Sequence, residues 1–96
     1  MPSYRLSAEA AVDVERIAEF TVGTFGALQA VKYHASLERT FQLLAEFPRI
    51  GLPAYDVRAG LYRFPHKSHM IFYTHHPDDI VIVRVLHARA DFLRHF

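Results

Sequence analysis

The sequence predicts an α+β fold of element order β-α-α-β-β-β, with a helical hairpin packed on one face of an antiparallel sheet. The first half of the 96 residues carries apolar side chains at steps of three and four, which is the period of an α-helix. The second half contains short runs of β-branched and aromatic residues separated by turn signals, a pattern typical of strands. A chain of this length can bury one core, so residues 1–96 are expected to form a single domain.

The chain is predicted to begin with a short strand and a first helix. Residues 4–6 alternate in polarity, and Ser7 follows as a predicted helix N-cap. Glu9 and Asp13 are assigned to the polar side of the helix, where they place negative charge toward its N-terminus. The apolar stripe of this helix consists of Ala10, Val14, Ile17 and Thr21. Gly23 is predicted to end it.

The second helix is predicted from about Leu28, shortly after Gly26, to Glu46, with Pro48 as its stop signal. Its apolar stripe consists of Ala30, Tyr33, Leu37, Phe41 and Leu44. Because only a few residues join the two helices, they are expected to lie antiparallel as a hairpin. The segment 49–60 shows no sustained period and is predicted to be a loop.

Three strands are predicted in the second half, over Leu61–Phe64, His69–Thr74 and Ile80–His87. A Pro-Asp-Asp turn signal separates the last two strands, so an antiparallel meander is the simplest arrangement. The tail Ala90–Phe96 is predicted to form one helical turn, with Asp91 near its start.

Composition excludes several classes of protein. The chain has no cysteine, which excludes a disulfide framework or a thiolate metal site and is typical of a reducing cytoplasm. The opening MPSYRLS lacks the apolar core of a signal peptide, and the longest apolar run near the C-terminus, IVIV, ends at Arg84, far short of a membrane span. We therefore expect a cytoplasmic protein without a membrane partner.

The charges divide unevenly along the chain. Residues 1–48 carry four Lys or Arg against six Asp or Glu, a balance of −2, whereas residues 49–96 carry seven against four, a balance of +3. Six of the seven histidines also lie in the second half. This asymmetry predicts two faces with different partners, although ordinary surface charge explains a difference of this size equally well.

The motifs of small-molecule catalysis and metal binding are missing from the sequence. His66 and His69, like the adjacent His75 and His76, do not fall two apart on one face of a strand, so they are expected to be solvated loop or strand-end histidines rather than metal ligands. No GxSxG elbow and no phosphate-binding glycine cluster occurs. No metal or cofactor is expected.

Basic side chains accumulate in the predicted sheet half. They are Arg58, Arg63, Lys67, Arg84, Arg89 and Arg94, with His66, His69 and His87. Such a set can bind phosphate, or cleave RNA where a base and a phosphate clamp converge. Strand alternation predicts that Arg84 points to the face opposite both Val83 and Val85. The alternative is an outward arginine paired with a carboxylate such as Asp91.

Apolar side chains at the predicted element ends exceed what one small core needs. They are Phe20, Phe25, Phe47, Leu52, Phe92, Leu93 and Phe96. Some are expected to cap the core, and those that remain exposed predict a partner that covers them.

Six segments in sequence carry a family resemblance: YRLSAEAAVDVERIAEFT, FGALQAVKY, LAEFPRIG, AGLYRF, HMIFYTHH and IVIVRVLHARAD. The more specific pieces within them are FG-x-x-QA, GL-x-RF, H-x-IFY and RVLH-x-R-x-D. Together they resemble the ParE toxins of bacterial type II toxin–antitoxin and plasmid stabilisation systems, within the RelE/ParE superfamily. The resemblance spans nearly the whole chain and implies the same β-α-α-β-β-β order.

The resemblance implies a toxin that poisons DNA gyrase without catalytic residues, and that is neutralised by a ParD-like antitoxin. Such an antitoxin is a ribbon-helix-helix protein whose flexible C-terminal segment wraps the toxin, and the pair represses its own operon, with operator DNA contacted through the antitoxin. We assign the gyrase-facing side to Arg58, Arg63, Arg84, His87, Arg89 and Asp91. Antitoxin contacts are assigned to the helical hairpin and the neighbouring sheet edge, with Val14, Phe20, Phe25, Tyr33 and Phe41 as candidates.

Two alternatives stay open at this point. RelE-type relatives cleave mRNA on the ribosome, and Arg63, Arg84 and His87 could imitate their phosphate clamp and acid, with Glu46 as the base. The chain also departs from the family pattern at Tyr62, where ParE-like sequences often carry a second basic residue. That departure leaves open a module whose toxin has lost its target and acts only as a co-repressor.

Overall fold

The computed structural model describes residues 2–96 and confirms the predicted α+β class. The helices are α1 (Ala8–Phe25) and α2 (Ala27–Glu46). The strands are β1 (Tyr4–Leu6), β2 (Leu52–Pro53), β3 (Leu61–His66), β4 (His69–His75) and β5 (Ile80–His87), and a short 3-10 helix covers Phe92–His95. The five strands form one sheet in the order β1-β5-β4-β3-β2.

Helix α1 begins as predicted and ends two residues later than predicted. The Ser7 hydroxyl accepts the Ala10 N–H at 3.0 Å, which confirms the N-cap. Gly23 lies inside the helix, so the prediction that it ends α1 is wrong. The break falls at Gly26, whose φ of 90° is open to glycine and strained for other residues.

The loop after α2 contains an element that the sequence did not predict. Residues 52–53 pair with β3 as a two-residue edge strand, too short to show any periodicity. The loop before it is fixed by Tyr73 of β4, whose hydroxyl donates to the Pro48 carbonyl at 2.8 Å and accepts the Gly51 N–H at 3.0 Å. A Cβ at position 51 would lie 2.2 Å from that hydroxyl, so this close approach requires glycine.

The predicted meander is confirmed, and β1 completes the sheet on its other side. Strands β3, β4 and β5 are antiparallel neighbours, whereas β1 pairs with β5 in parallel, from Tyr4 opposite Ile80 to Leu6 opposite Ile82. The helical hairpin is therefore the connection between two sections of one sheet.

A β-bulge in β5 overturns the predicted alternation around Arg84. Phe72 lies opposite Arg84 but Tyr73 lies opposite Ile82, so β5 carries one extra residue at Val83. A bulge bends the strand and re-aims the side chains beside it. The regular alternation of side chains between the two faces therefore does not hold across Val83, Arg84 and Val85.

The core occupies both faces of the sheet. The larger cluster lies between the hairpin and the sheet and includes Ala10, Val14, Leu37, Phe41, Leu44, Ile71, Tyr73, Ile80, Ile82 and Val85. On the opposite face, the Phe72 ring lies edge-on to Phe92 and Phe96, with centroids 4.9 and 5.1 Å away. The C-terminal segment thus covers the face that the helices leave open. No helix within residues 2–96 has the length and apolar character needed to cross a bilayer.

Candidate partner-binding site

An open groove runs between the C-terminal half of α1 and the ends of β4 and β5. Its volume is about 560 Å³, and its lining includes Phe20, Phe25, His69, His87 and His95. A second depression of about 290 Å³ shares four of its lining residues and extends to Tyr33 and Gln29 of α2. The two form one continuous concave surface, which we call the aromatic groove.

Two exposed phenylalanines form one rim of the aromatic groove. Phe20 and Phe25 are each 66% exposed. Both lie on the C-terminal half of α1, where the buried positions are Thr21 and, one turn before it, the half-buried Ile17. Because exposing large apolar side chains to water is unfavourable, a rim of this kind is typical of a surface that a partner covers.

The floor of the groove is fixed by a buried ion pair. Arg84 donates to both oxygens of the Asp13 carboxylate, from Nε at 2.8 Å and from Nη2 at 2.8 Å. The same carboxylate accepts the Val85 N–H at 3.0 Å, and the hydrogen bonds to Asp13 raise the pKa of Arg84. Both sequence expectations are corrected here, because Asp13 is buried rather than on the polar side of α1 and Arg84 pairs with Asp13 rather than with Asp91.

This ion pair and the helix cap cover the edge of β5 that extends beyond its pairing with β1. Pairing with β1 stops at Ile82, and the Ser7 hydroxyl donates to the next carbonyl, that of Val83, at 2.7 Å. Further along β5, the Asp13 carboxylate accepts the Val85 N–H, as described above. Side chains of α1 and its cap therefore replace a neighbouring strand, and this protects the edge against pairing with another chain.

Two of the histidines are held by hydroxyl groups rather than solvated. A hydrogen bond of 2.6 Å joins the Tyr33 hydroxyl to His69 Nδ1, and burial, followed by the nearby His87 and His66, lowers the pKa of His69. His66 lies between the Ser36 and Thr40 hydroxyls, at 3.0 and 2.9 Å. Burial, followed by Lys67 and Arg39, lowers the pKa of His66 as well. The strand-end histidines 75 and 76 are exposed as predicted.

His87 faces His69 across neighbouring strands. Their rings lie 5.9 Å apart, and His87 Nδ1 accepts the Arg89 N–H at 3.1 Å. This hydrogen bond places the proton of the neutral His87 ring on Nε2. No cluster of three or more His, Cys, Asp or Glu side chains in residues 2–96 is arranged to hold a metal ion.

The structure divides the residues predicted to face gyrase among three places. Arg84 and His87 line the aromatic groove. Arg58 lies over the Phe96 ring at 5.4 Å, on the opposite face of the sheet, and Arg63 lies opposite Phe72 in the strand register. The exposed Arg89 and Asp91 follow β5, and Asp91 is the N-cap residue of the 3-10 helix.

The residues predicted to contact an antitoxin also separate into two groups. Phe20, Phe25 and Tyr33 line the aromatic groove. Val14 and Phe41 are buried in the main core, so neither is available to a partner in this conformation. Their helical spacing could not distinguish a core stripe from a binding stripe.

The alternative ribonuclease set is not gathered into one site. Glu46 is the last residue of α2, on the face of the sheet that the helices cover. Arg63 lies two residues after Leu61 in β3, so it shares the opposite face of the sheet with Leu61. The guanidinium of Arg84 is held by Asp13. Tyr62, the departure from the family pattern, stacks on Tyr73 at 5.7 Å and accepts a hydrogen bond from Tyr55 at 3.2 Å.

Sequence reasoning missed four residues of this region: Asp13 as the partner of Arg84, and Arg16, Ser68 and His95 in the lining of the groove. The one available signal was the position of Asp13 directly before Val14, at the border between the apolar stripe and the polar side of the helix. Nothing in the sequence connects α1 with the tail.

Comparison with known proteins identifies relatives over nearly the whole chain. A family model described as "ParE toxin of type II toxin-antitoxin system, parDE" matches residues 4–92. Toxin ParE1 of Caulobacter vibrioides is 35% identical over 95 residues, which cover 99% of this chain and 98% of that protein. Toxin ParE3 of the same organism is 36% identical over 55 residues, which cover 57% of this chain and 55% of that protein.

A solved structure shares the fold. A chain of the chromosomal ParDE TA system from P. aeruginosa superposes with a TM-score of 0.78 and covers 91% of this chain and 96% of its own length. The sequence identity is 18%, so this match bears on the fold alone.

Proposed function

The chain belongs to the ParE toxin family of type II toxin–antitoxin systems, and from that premise we propose that it stops bacterial growth by binding and poisoning DNA gyrase. The observation that carries the proposal is the similarity to Toxin ParE1, which extends over 99% of this chain and 98% of that protein. Because the similarity covers nearly all of both sequences, nearly every part of Toxin ParE1 has a counterpart in this chain.

We propose that the chain acts by binding rather than by catalysis. Three of the groups that an acid–base mechanism could use are occupied by structural hydrogen bonds. Arg84 is held by Asp13, His69 by Tyr33, and both ring nitrogens of His66 by hydroxyl groups. A binding toxin instead needs exposed contact residues on a rigid frame, and His87 and Arg89 at the end of β5 are exposed.

The proposed antitoxin is a ParD-like ribbon-helix-helix protein whose flexible C-terminal segment covers the toxin. We place its contacts on Phe20, Phe25 and Tyr33 of the aromatic groove. The family model, whose description names the type II toxin-antitoxin system parDE, supports a partner of this kind. The complex would repress its own operon, with operator DNA contacted through the antitoxin.

We propose that the gyrase-facing side consists of Arg58, Arg63, His87, Arg89 and Asp91. Arg84 is proposed to act indirectly, because its guanidinium holds α1 against β5 instead of projecting freely. His87 lies in the aromatic groove with Phe20 and Phe25, so an antitoxin segment there would also cover part of the gyrase-facing side.

Induced expression in a bacterial host tests this function. We expect growth arrest in which DNA synthesis, measured by thymidine incorporation, stops before protein synthesis. We also expect relief when a ParD-like antitoxin, which should be encoded beside this chain, is co-expressed. Protein synthesis that stops first, with cleaved mRNA, would contradict a gyrase target and indicate the ribosome. Expression without any growth effect, at a protein level confirmed by immunoblot, would contradict toxicity itself.

A further inference from the structure

A shallow valley runs along the solvent side of the helical hairpin, between α1 and α2. Its volume is about 430 Å³, and its sides include Ala18 and Val22 of α1 and Ala27, Val31 and Ala35 of α2. We call this surface the hairpin valley. It shares no lining residue with the aromatic groove, so it is a separate surface of the molecule.

The hairpin valley is apolar although it faces water. Val22 is 48% exposed and Val31 is 66% exposed, and Leu28, one turn before Val31, is 70% exposed. Both helices already bury another face in the main core, so these side chains are not needed there. Exposed apolar side chains that lie together in this way are typical of a surface that binds another protein.

The shape of the valley suits a second copy of the same surface. Val31 projects from α2 with Ala27 one turn before it and Ala35 one turn after it. When two copies pack α2 against α2 in antiparallel, the two Val31 side chains meet beside a two-fold axis. Ala27 then lies opposite the partner's Ala35, where small side chains let the helices approach closely. Such a contact uses the same patch on both copies, so it closes at a dimer.

The charges favour the same antiparallel arrangement. The first turn of α2 contains no acidic residue, and its N-cap Gly26 makes no side-chain hydrogen bond, so this end carries an unneutralised partial positive charge. Glu38 lines the other end of the valley, where the exposed His34 is 3.5 Å away. Ala27 lies four residues before Val31 and Glu38 lies seven after it. Because helical side chains lean toward the N-terminus, the partner's Glu38 reaches the first turn of α2.

We propose that the hairpin valley is the contact between two copies of this chain, related by a two-fold axis beside Val31. The apolar part of the valley runs from Ala27 to Ala35 on α2, roughly 12 Å. A standard stable interface buries about 800 Å² per partner, and a contact of this length is smaller. The dimer therefore forms at micromolar concentrations and dissociates on dilution. The inference is independent of the proposed antitoxin and gyrase contacts.

Pairing through the valley leaves the aromatic groove open. Phe20 and Phe25 line the groove, whereas Val22 of the same helix lines the valley. The dimer therefore presents two grooves at once. A partner that carries two copies of a groove-binding segment, held within reach of both grooves, binds such a dimer more tightly than it binds one chain.

Sedimentation equilibrium of the purified chain alone, from about 1 to 200 μM, tests the pairing. We expect a reversible monomer–dimer equilibrium with a Kd on the order of 10 μM. Val31→Lys places a charge at the axis and should weaken the dimer tenfold or more. Val12→Lys is the matched control, because Val12 is an exposed valine of α1 outside the valley, and it should stay within threefold of wild type. Circular dichroism confirms that both variants fold.

The charge contact has its own test. We expect Glu38→Gln to raise the Kd of the dimer at least threefold at low salt, and to remove most of the weakening that added salt causes in wild type. Glu19→Gln is the control, since Glu19 is exposed on α1 outside the valley. A Kd that rises no more in Glu38→Gln than in Glu19→Gln would contradict the antiparallel arrangement.

Cross-linking identifies the paired face directly. The chain contains no cysteine, so a single introduced thiol is the only reactive one. We expect a short bis-maleimide to link Val31→Cys into dimers and to leave Val12→Cys monomeric at the same concentration. Equal cross-linking of the two variants would mean that the valley is not the paired face.

Three further results would overturn the inference. A chain that stays monomeric over the whole concentration range does not pair. Species that keep growing beyond the dimer would indicate a contact without two-fold closure. If Val31→Lys leaves self-association intact but abolishes binding of a ParD-like antitoxin, the valley belongs to the antitoxin.

Discussion

The residue with the largest structural role is Asp13, a buried carboxylate on an otherwise apolar stripe. It accepts two hydrogen bonds from Arg84 and a third from the Val85 N–H, across more than 70 positions of sequence. These contacts position α1 on β5 and cap a strand edge at the same time. A buried charge with its partners satisfied is tolerated, whereas one left without a partner is costly.

Replacing Asp13 with Asn should therefore destabilise the protein strongly. The change removes the negative charge beside Arg84 and leaves one donor without an acceptor, so we expect a loss of about 2–4 kcal/mol in the free energy of unfolding. Urea denaturation followed by circular dichroism measures it. The double variant Asp13→Asn, Arg84→Met should recover part of the loss, because it removes the unpaired guanidinium. A double variant that loses the full sum of both single changes would contradict the pairing.

At the scale of elements, the helical hairpin depends on one glycine and not on the other. Gly26 has a φ of 90° and joins α1 to α2, while Gly23 lies exposed inside α1. A Cβ would find nothing within 4 Å at either position, so backbone conformation alone decides the effect of a substitution.

Alanine at these two positions should have opposite effects. Gly26→Ala should destabilise by about 1–3 kcal/mol, because its backbone conformation is strained for any residue with a Cβ. Gly23→Ala should stabilise by about 0.5–1 kcal/mol through helix propensity. Thermal unfolding of the two variants beside wild type measures both. Destabilisation by Gly23→Ala would contradict the continuation of α1 to Phe25.

Local pattern predicted the elements but not the way in which they meet. Helical spacing and turn signals predicted α2 and β5 to within a residue, since each is a long segment with one buried face. The two-residue β2, the bulge at Val83 and the Asp13–Arg84 pair depend on residues far apart in the chain. The same limit applies to the candidate site, where spacing identified Phe20 and Phe25 but could not distinguish them from the buried Val14 and Phe41.

At the scale of the whole molecule, the buried histidines link stability to pH. The pKa values of His66 and His69 lie below the ordinary value of 6.5, so the unfolded chain takes up protons at a higher pH than the folded chain. Their contribution to stability is therefore present above about pH 6.5 and declines as the pH falls through the lower folded-state values.

We expect the urea midpoint of the free protein to fall between pH 7.5 and pH 5.5, and to fall less in His69→Gln, which removes one of the two groups. His75→Gln is the control, since His75 is exposed at the end of β4. A wild-type midpoint that stays level over this range, or a drop that His69→Gln leaves unchanged, would contradict a buried neutral His69.

The molecule as a whole presents a rigid sheet, a hairpin packed on it through the main core and the Asp13–Arg84 ion pair, and an aromatic groove where the two meet. Such a frame suits a protein that acts by binding to a partner. The central claim is that the partner it poisons is DNA gyrase.

A supercoiling assay with purified bacterial gyrase, run with and without the antitoxin, tests that claim most directly. We predict that the chain inhibits supercoiling or traps cleaved DNA, and that the antitoxin relieves the effect. Full gyrase activity at micromolar concentrations of folded toxin would contradict the claim and make translating ribosomes the next target to test.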